Sequence, residues 1–235
     1  MTTSPSTLVI GATQGTGYEI VQRLLAAGHA VRVLARYPEK ARQLFAGKPV
    51  EIITADITQP ATLERRLFEV EHIIFTAGVT QRPANETLVK TTEYEGVVNV
   101  LQAAQQAGFT GRFLYMTTVG IDESSVLGLF LNLLKRNMLY WRKQAEAAIR
   151  ASNLSYTIIR AGILNDKAGG ERAIEISQRS YPLALDYAIS RKDVATVFVQ
   201  ALDDAYTERT SFNVVWKTPA APPAPLSFRQ LQPDA

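Results

Sequence analysis

The chain lacks cysteine altogether, has only two histidines and contains no apolar run as long as a membrane span. The absence of cysteine excludes disulfides and thiol catalysis and is typical of a reducing compartment, so we expect a cytoplasmic protein. His29 and His72 have no carboxylate cluster around them at ligand spacing, and the sequence predicts no metal site. The most apolar stretch, residues 126–134, is far shorter than the roughly 20 residues that cross a bilayer, so no membrane span is expected.

Blocks of like charge are missing as well. The 25 basic and 22 acidic residues leave a net charge of +3, and they are scattered along the chain. Only a pI of about 9.1 favours a nucleic-acid partner, so none is expected. The N-terminus shows no basic region followed by a hydrophobic core, which argues against a secretory signal. We expect a single globular domain that acts on a small-molecule substrate, and a homodimer stays open.

Short apolar runs alternate with helical patterns along most of the chain. Several of the runs are apolar at consecutive positions, which is typical of strands that are covered on both faces. Because strands joined by helices run parallel, the order predicts an α/β fold with a doubly wound, mostly parallel sheet of Rossmann type. The predicted strands are residues 7–11, 30–36, 50–56, 72–78, 112–118, 155–162 and 211–216.

The helices and the domain limits follow from the same pattern. The helices that the pattern predicts are residues 15–28, 38–45, 60–70, 86–107, 127–151 and 190–204. The domain is predicted to span residues 1–218. The proline-rich tail, residues 219–235, is expected to lie outside the core.

Three glycines crowd the exit of the first strand in the stretch GATQGTG. Missing side chains let backbone N–H groups approach a phosphate, and the start of the following helix adds positive partial charge. The alternative is a purely structural turn, but the position at the head of a series of strand–helix units favours a dinucleotide site. The residues predicted to bind the cofactor here are Gly11, Thr13, Gln14, Gly15, Thr16 and Gly17.

The end of the second strand indicates which dinucleotide binds. An acidic residue at this place accepts a hydrogen bond from the adenosine ribose and favours NAD. Here the strand ends in Arg36, whose planar guanidinium suits a 2′-phosphate, and Lys40 follows closely. We therefore predict NADP(H) as the cofactor. NAD(H) stays open, because Arg36 could also be a surface charge on an enzyme that uses NAD or accepts both.

Seven stretches in this order resemble the atypical branch of the short-chain dehydrogenase/reductase superfamily, which includes NmrA-like proteins, Tic62-like chloroplast proteins and flavin reductases. They are GATQGTG, VLAR, ADIT, TAG, EYEGVVNVLQAAQQAG, FLYMTTVG and KQAEAAIRASNLSYTIIRAG. The resemblance covers residues 6–216 and implies an NAD(P)-binding Rossmann domain. Many atypical members have glycine where this chain has Gln14. This difference leaves dinucleotide binding intact but makes the assignment to a subfamily less definite.

The resemblance also implies further cofactor contacts. Asp56 and Ile57 resemble a pair that lies against adenine, although Asp56 could instead cap a helix. Ala77 and Gly78 resemble small residues beside the adenosine ribose. The turn beside the nicotinamide corresponds to Arg160, Ala161, Gly162 and Ile163, with alanine in place of the usual proline.

The catalytic residues are implied less completely. Thr117 and Thr118 resemble a pair of serines that contacts the substrate or the nicotinamide ribose, and Lys143 resembles the lysine that binds that ribose. Each could instead be structural, the threonines at a strand end and the lysine on a solvated helix. The tyrosine expected four residues before the lysine is replaced by Leu139. Tyr140, three residues before Lys143, could reach the site or pack in an apolar wall.

Two functions compete on this evidence. The first is an NADP(H)-dependent oxidoreductase of a small apolar or aromatic acceptor, such as a quinone, a flavin or a carbonyl compound. A quinone or a flavin can be protonated by solvent, so the missing tyrosine matters least for them. The apolar segment 126–141 could roof a pocket for such an acceptor, or form core or dimer contacts. The second function is a dinucleotide-binding sensor or scaffold of the NmrA-like type, without turnover.

Overall fold

The computed structural model describes residues 6–63, 66, 67, 69–79, 85–134 and 136–234. Within these ranges the first six strands pair in parallel in the order β3-β2-β1-β4-β5-β6. The predicted doubly wound, mostly parallel sheet is therefore confirmed. The order reverses between β1 and β4, which opens a crevice at the carboxyl ends of the strands. The strands are β1 Ser6–Ile10, β2 Ala30–Ala35, β3 Val50–Thr54, β4 Val70–Phe75, β5 Arg112–Thr118 and β6 Ser155–Ala161.

Four more strands complete the sheet structure. β10 continues the main sheet in parallel beside β6, and β8 pairs antiparallel with the far edge of β10. β7 and β9 form a separate parallel pair. Three of these strands have only three or four residues, too few for a periodic signal, and the sequence analysis missed them. The bounds are β7 Ile163–Asn165, β8 Ile174–Ser177, β9 Ala188–Ser190 and β10 Thr210–Trp216.

The helices occupy the connections between strands. The helix predicted over residues 86–107 is present as α3 and α4 with a π-helical segment, Thr91–Glu95, between them. The helix predicted from residue 60 to 70 is reduced to a 3₁₀ turn at Pro60–Thr62, and residues 64, 65 and 68 lie outside the described ranges. The helices are α1 Gly15–Ala26, α2 Pro38–Leu44, α3 Glu86–Lys90, α4 Gly96–Gln106, α5 Val126–Leu134, α6 Met138–Ala151 and α7 Arg191–Ala201.

The prediction of one continuous helix over residues 127–151 is wrong. Arg136 and Asn137 adopt left-handed backbone conformations, with φ of 50° and 63°. The amide of Asn137 donates to the carbonyl of Asn132 at 2.9 Å, which closes the end of α5 before α6 begins. Asparagine adopts this conformation more readily than most residues, so the break has a local cause. In the part of the chain that the structure describes, no helix is long and apolar enough to cross a bilayer.

Both faces of the sheet are buried, which explains the non-alternating strands. On one face Val9 packs with Ile20 of α1 and Phe198 of α7. On the other face Leu8 and Ile10 belong to a second apolar cluster that includes residues of α4 and α6. The site at the carboxyl ends of the strands is thus held between two rigid layers of helices.

The proline-rich tail also reaches the core, contrary to the expectation from its composition. Phe228 is buried, and its ring centroid lies 5.8 Å from that of Phe212 in β10. Asp234 accepts a hydrogen bond of 3.0 Å from the hydroxyl of Tyr156. Burial, together with the neighbouring Asp234 carboxylate, raises the pKa of Tyr156 to about 12. Proline content alone did not reveal these two anchoring side chains.

Asp193 joins three parts of the chain behind the site. Its carboxylate accepts hydrogen bonds from the hydroxyl of Ser190 at 2.8 Å, the amide of Gly170 at 2.7 Å and the indole N–H of Trp216 at 2.7 Å. The side chain is almost fully buried. The carboxylate therefore fixes the start of α7 to the loop after β7 and to the end of β10.

Replacement of Asp193 by alanine should lower the stability of the protein strongly. The buried hydroxyl of Ser190, the buried indole N–H of Trp216 and the amide of the exposed Gly170 would lose their acceptor, at a cost of about 3 kcal/mol or more. For a chain of this size we expect the melting temperature to fall by about 6–12 °C. Asp186→Asn, at an exposed carboxylate, is the control. Equal melting temperatures for the two variants in calorimetry would contradict this role.

Candidate functional site

The loop between β1 and α1 and the first turn of α1 lie so close to the end of β4 that one position in each accepts only glycine. Gly11 has φ of +88°, and a Cβ there would lie 2.6 Å from the backbone nitrogen of Ala77. A Cβ on Gly17 would overlap the carbonyl oxygen of Gly11 and lie 2.6 Å from Oγ1 of Thr76. The loop is thereby folded into the crevice where the strand order reverses, the usual ligand position in such sheets.

The first turn of α1 offers unsatisfied hydrogen-bonding groups at this crevice. It contains no acidic residue that would compete with an anion. Oγ1 of Thr16 is buried and has no hydrogen-bond partner among the described residues. Because a helix start also carries unpaired N–H groups and positive partial charge, a phosphate oxygen would satisfy this arrangement. The residues present therefore fit the diphosphate of a dinucleotide.

Arg191 lies beside the same loop and was missed by the sequence analysis. Its Nε is 3.5 Å from where a Cβ on Gly15 would stand, and the φ of Gly15 is +55°. Its Nη1 is 2.7 Å from Oδ1 of Asp166. Arg191 opens α7, which packs against α1 through a hydrogen bond from Arg23 to the carbonyl of Lys192. Nothing local in the sequence marks this residue, because the contact joins distant segments.

Arg36 directly follows the last residue of β2, Ala35. Its guanidinium carbon lies 4.7 Å from the ring centroid of Tyr37, and both side chains are exposed. Among the described residues no carboxylate lies within ion-pair distance of Arg36. The guanidinium is accessible to an anion from solvent.

Asp56 and Ile57 form a fixed turn after β3. Oδ1 of Asp56 accepts hydrogen bonds from the amide and the hydroxyl of Thr58, at 2.9 and 2.8 Å. Nδ2 of Asn99 donates to the carbonyl of Ile57 at 2.8 Å. A Cβ on Gly96 would lie 2.9 Å from the side chain of Ile57, so α4 presses closely on this turn. These bonds close a local turn and not a helix cap, because the residue that caps the following 3₁₀ turn is Gln59.

A buried ion pair lies behind Ala77 and Gly78. Glu93, in the π-helical segment, is almost fully buried and bonds to Nε of Arg142. Its Oε1 also accepts from the amide of Val79 at 3.0 Å. Burial opposes the charge of Arg142, but the adjacent Glu93 outweighs it and raises the pKa of the guanidinium. Neither charge was singled out from the sequence, although a π segment often marks a functional region.

The two threonines close β5 side by side with the end of β6. Thr117 lies opposite Arg160 in the register, and Thr118 lies opposite Ala161. Oγ1 of Thr117 is buried without a hydrogen-bond partner in the described ranges. An unpaired buried hydroxyl is costly, so this group could accept or donate a bond to a ligand that reaches the strand end.

Arg160 is fully engaged by carboxylates. Its Nε and Nη2 donate to the two oxygens of the buried Glu146 at 3.0 and 2.6 Å, and its Nη1 donates to Asp122 at 2.7 Å. Asp122 lies 3.3 Å from Nζ of Lys143 through its other oxygen. Burial opposes the charge of Arg160, but hydrogen bonds to Glu146 and the nearby carboxylates raise its pKa. The network therefore links the predicted nicotinamide turn to the predicted catalytic lysine.

The rest of that turn is held by backbone packing. A Cβ on Gly162 would overlap the carbonyl oxygen of Tyr187, and the amide of Ile163 donates to the same oxygen at 2.7 Å. Ala161 accepts from the amide of Val119 at 3.0 Å. Glycine is required at position 162 because the start of β9 lies directly against it.

Tyr140 and Lys143 lie on the wall of one cavity of about 150 Å³. The cavity lies between the loop after β5, α5 and the start of α6. Tyr140 is about half exposed and makes an edge contact with Trp141, at 4.9 Å between ring centroids. Thr117 and Thr118 are not among the lining residues. The lining residues are Gly120, Ile121, Ser124, Ser125, Gly128, Leu129, Asn132, Leu139, Tyr140 and Lys143.

The structure thus brings the predicted site residues together in two places on one edge of the sheet. The glycine loop, Thr16 and the end of β4 form an anion cradle, and Tyr140 and Lys143 share the cavity. In the described ranges no three histidine, aspartate or glutamate side chains are grouped in a way that would hold a metal ion. The serine and asparagine side chains of the cavity are polar groups that the sequence analysis did not name.

Comparison with protein families gives one match that covers most of the chain. A family model described as NAD(P)H-binding matches residues 11–205. The match begins at the first glycine of the cradle and extends beyond α7.

Individual relatives agree with this match. An uncharacterised chloroplastic protein of Arabidopsis thaliana is 31% identical over 233 residues, which cover 95% of this chain and 80% of that protein. Sanguinarine reductase of Eschscholzia californica is 25% identical over 258 residues, which cover 95% of this chain and 93% of that protein. Among solved structures, the fold is similar to that of a short-chain dehydrogenase/reductase from Veillonella parvula, whose crystal structure is in complex with NADP. The TM-score is 0.74 at 18% sequence identity, and the match covers 92% of this chain and 96% of that one. The likeness to that structure shows the fold.

The ion pairs of Asp122 with Arg160 and Lys143 predict that the stability contributed by this carboxylate depends on pH. Partial burial works against its charge, but Arg160 and Lys143 outweigh burial and hold the pKa of Asp122 below its ordinary 3.8. A carboxyl with a lowered pKa stabilises the folded state above its unfolded pKa, and this stabilisation disappears as the pH falls through the folded pKa. Asp122→Asn should therefore melt below the wild type at pH 7.

That difference should shrink as the pH falls below about 4. Melting curves of both proteins between neutral and acidic pH measure it, with Asp186→Asn as the control for an exposed carboxylate. A difference that stays constant down to acidic pH would show that the effect is not due to the Asp122 charge.

Proposed function

This chain belongs to the NAD(P)H-binding family, as its resemblance to the atypical short-chain dehydrogenases/reductases predicts, and we propose that it is an NADP(H)-dependent oxidoreductase. One observation carries this proposal: the anion cradle and the cavity with Tyr140 and Lys143 open at the same edge of the sheet. Only β4 separates β1 from β5. Since neighbouring strands lie about 4.8 Å apart, β1 and β5, after which the two features lie, are roughly 10 Å apart, a separation that a dinucleotide can bridge.

Different groups of this chain would hold different parts of the cofactor. The glycine loop, Thr16 and Arg191 would bind the diphosphate, through backbone donors, a hydroxyl and a charge. Arg36 would bind the 2′-phosphate that distinguishes NADP(H) from NAD(H). The accessible guanidinium and the lack of an acidic residue at the end of β2 support NADP(H), and NAD(H) is the alternative cofactor.

The cavity supports a small apolar or aromatic acceptor, such as a quinone, a flavin or a carbonyl compound. A cavity of about 150 Å³ can accommodate a single six-membered ring, so it would receive one ring of the acceptor. Ile121, Leu129 and Leu139 supply apolar walls. Its polar lining, which includes Ser124 and Asn132, could orient an acceptor oxygen. The relative named sanguinarine reductase supports reduction as the direction of the reaction.

When bound, the nicotinamide supplies the hydride, and the protein contributes orientation, charge and exclusion of water. Asp122 holds the ammonium group of Lys143 at the cavity wall, where it can stabilise negative charge that develops on an acceptor oxygen. Tyr140 can donate a proton to a carbonyl oxygen from the same wall. A quinone or a flavin can take its proton from solvent, so these acceptors need Tyr140 least.

A dinucleotide-binding sensor of the NmrA-like type is the second candidate, and one observation favours it. Arg160 and Lys143 are both paired with carboxylates, and Leu139 stands where a catalytic tyrosine would be. Such a site could bind the cofactor and change conformation without turnover. Cytoplasmic localisation stays a prediction for either function.

Two arginine variants should separate the two parts of the cofactor site. Arg36→Ala should weaken NADPH binding about 10- to 100-fold and leave NADH binding nearly unchanged, because only NADPH carries the 2′-phosphate. Arg191→Ala should weaken both cofactors by similar factors, since both carry the diphosphate. Isothermal titration calorimetry measures the dissociation constants.

Arg42→Ala, at an exposed arginine of α2 paired with Glu39, is the matched control and should bind as the wild type does. Equal effects of Arg36→Ala on NADPH and NADH would contradict the role of Arg36. Failure of the folded wild type to bind either cofactor would overturn the proposed function itself.

Turnover decides between the enzyme and the sensor. With NADPH and a panel of quinones, flavins and aldehydes, the wild type should oxidise NADPH in the presence of at least one class. Lys143→Ala should lower kcat about 100-fold or more, whereas Lys217→Ala, at an exposed lysine, should not. Tyr140→Phe should slow carbonyl reduction strongly and quinone or flavin reduction little. Tight NADPH binding without oxidation by any acceptor would support the sensor instead.

A further inference from the structure

Helix α5 carries its apolar side chains on the outside. Five large apolar residues recur at spacings of three and four and so form one stripe along the helix. All of them are more than half exposed, from 57% for Phe130 to 88% for Val126. In a globular domain such a stripe normally faces the core. We name this stripe the α5 patch; it consists of Val126, Leu129, Phe130, Leu133 and Leu134.

The opposite side of α5 is held by small and polar groups. Gly128 is buried, and a Cβ there would lie 2.9 Å from Oγ of Ser125. Ser125 donates to the carbonyl of Leu183 at 2.8 Å, and Asn132 accepts from the amide of Leu139 at 2.9 Å. These bonds fix the orientation of the helix, so the α5 patch points outward because of specific contacts on its other side.

The α5 patch is bordered by apolar, aromatic and basic side chains, and one carboxylate, that of Glu86, accepts a hydrogen bond of 3.0 Å from Asn137 beyond the carboxyl end of α5. Leu185 and Tyr140 are 75% and 53% exposed. Lys135 and Arg136 follow the helix directly, and no acidic residue occurs between positions 126 and 145. The nearest acidic residue in the sequence before this stretch is Glu123, at the other end of the helix. The apolar stripe is therefore continuous with positive charge at its carboxyl end.

We propose that the α5 patch docks on the surface of a membrane that contains anionic lipid, with α5 in the plane of the interface. Nine residues of helix are about 13 Å long, too short to span a bilayer but sufficient to lie in its surface. An apolar stripe followed by basic and aromatic residues is the pattern of interfacial helices. A second copy of the chain would present the same positive charge to this surface, whereas anionic head groups complement it.

The docking surface adjoins the cavity described above. Leu129 belongs to the α5 patch and also lines the cavity. Tyr140, which is outside the patch, lines the same cavity. Docking would bring the part of the cavity wall that Leu129 forms to the lipid surface, where apolar acceptors accumulate. This last step rests on the proposed function; the docking itself does not.

Sedimentation with vesicles tests the docking without any nucleotide or acceptor. The wild type should pellet with vesicles of phosphatidylcholine and phosphatidylglycerol, at least about tenfold more than with phosphatidylcholine alone. The double variant Phe130→Glu/Leu133→Glu should lose this binding, because charges replace the centre of the stripe. Tyr206→Glu is the matched control, since Tyr206 is 52% exposed and precedes the start of β10, at the opposite edge of the sheet.

Arg136→Glu provides a second variant that leaves the stripe intact, in case the double variant does not melt cooperatively. It should weaken binding to the anionic vesicles and leave binding to phosphatidylcholine unchanged. No sedimentation of the wild type, or equal sedimentation of wild type and variants, would overturn the proposal. A wild-type dimer that Phe130→Glu/Leu133→Glu converts to a monomer would overturn it as well, because the patch would then bind a second copy. Since no NADPH is present, these results are independent of whether the protein is an oxidoreductase.

Discussion

The contact between the first glycine loop and the end of β4 determines where the rest of the site can lie. The backbone and the hydroxyl of Thr76 both donate to the carbonyl of Ile10, at 2.9 and 3.0 Å, and there is no space for a Cβ on Gly11 or Gly17. This close approach fixes the start of α1 at the point where the strand order reverses. A dinucleotide with its diphosphate there would extend both ways along the carboxyl ends of the strands, toward Arg36 after β2 on one side and toward β5 and β6 on the other.

Charge pairs inside the domain then position the helix that carries the candidate catalytic residues. Arg142 and Glu146, which lie four residues apart on one face of α6, pair with Glu93 and with Arg160. Both glutamates are almost fully buried, and removing one partner of such a pair leaves an uncompensated charge. These pairs give α6 one rotation about its axis, and that rotation sets which of its residues line the cavity. They make the site rigid, which suits either a catalyst or a sensor.

Helix α5 differs from the other helices in the direction of its apolar face. Its contacts with the domain include a glycine, an asparagine and the hydroxyl of the preceding serine, and the five large apolar residues of the α5 patch face outward. The break at Arg136 and Asn137 separates it from α6, so the outward orientation does not disturb the charge pairs. Recognition of an external surface can therefore reside in α5 while the cofactor cradle stays on the sheet.

The sequence by itself determined the succession of the six main strands along the chain, the glycine-rich turn after the first strand and the family, because each depends on patterns within short segments. It could not determine that Arg191 borders Gly15, that Glu93 pairs with Arg142, or that Phe228 joins the core. Those contacts join residues far apart in the chain, and only the packing of helices on the sheet brings them within reach. The direction of the α5 patch belongs to the same group, because periodicity shows that a helix has an apolar face but not which side of it the tertiary structure covers.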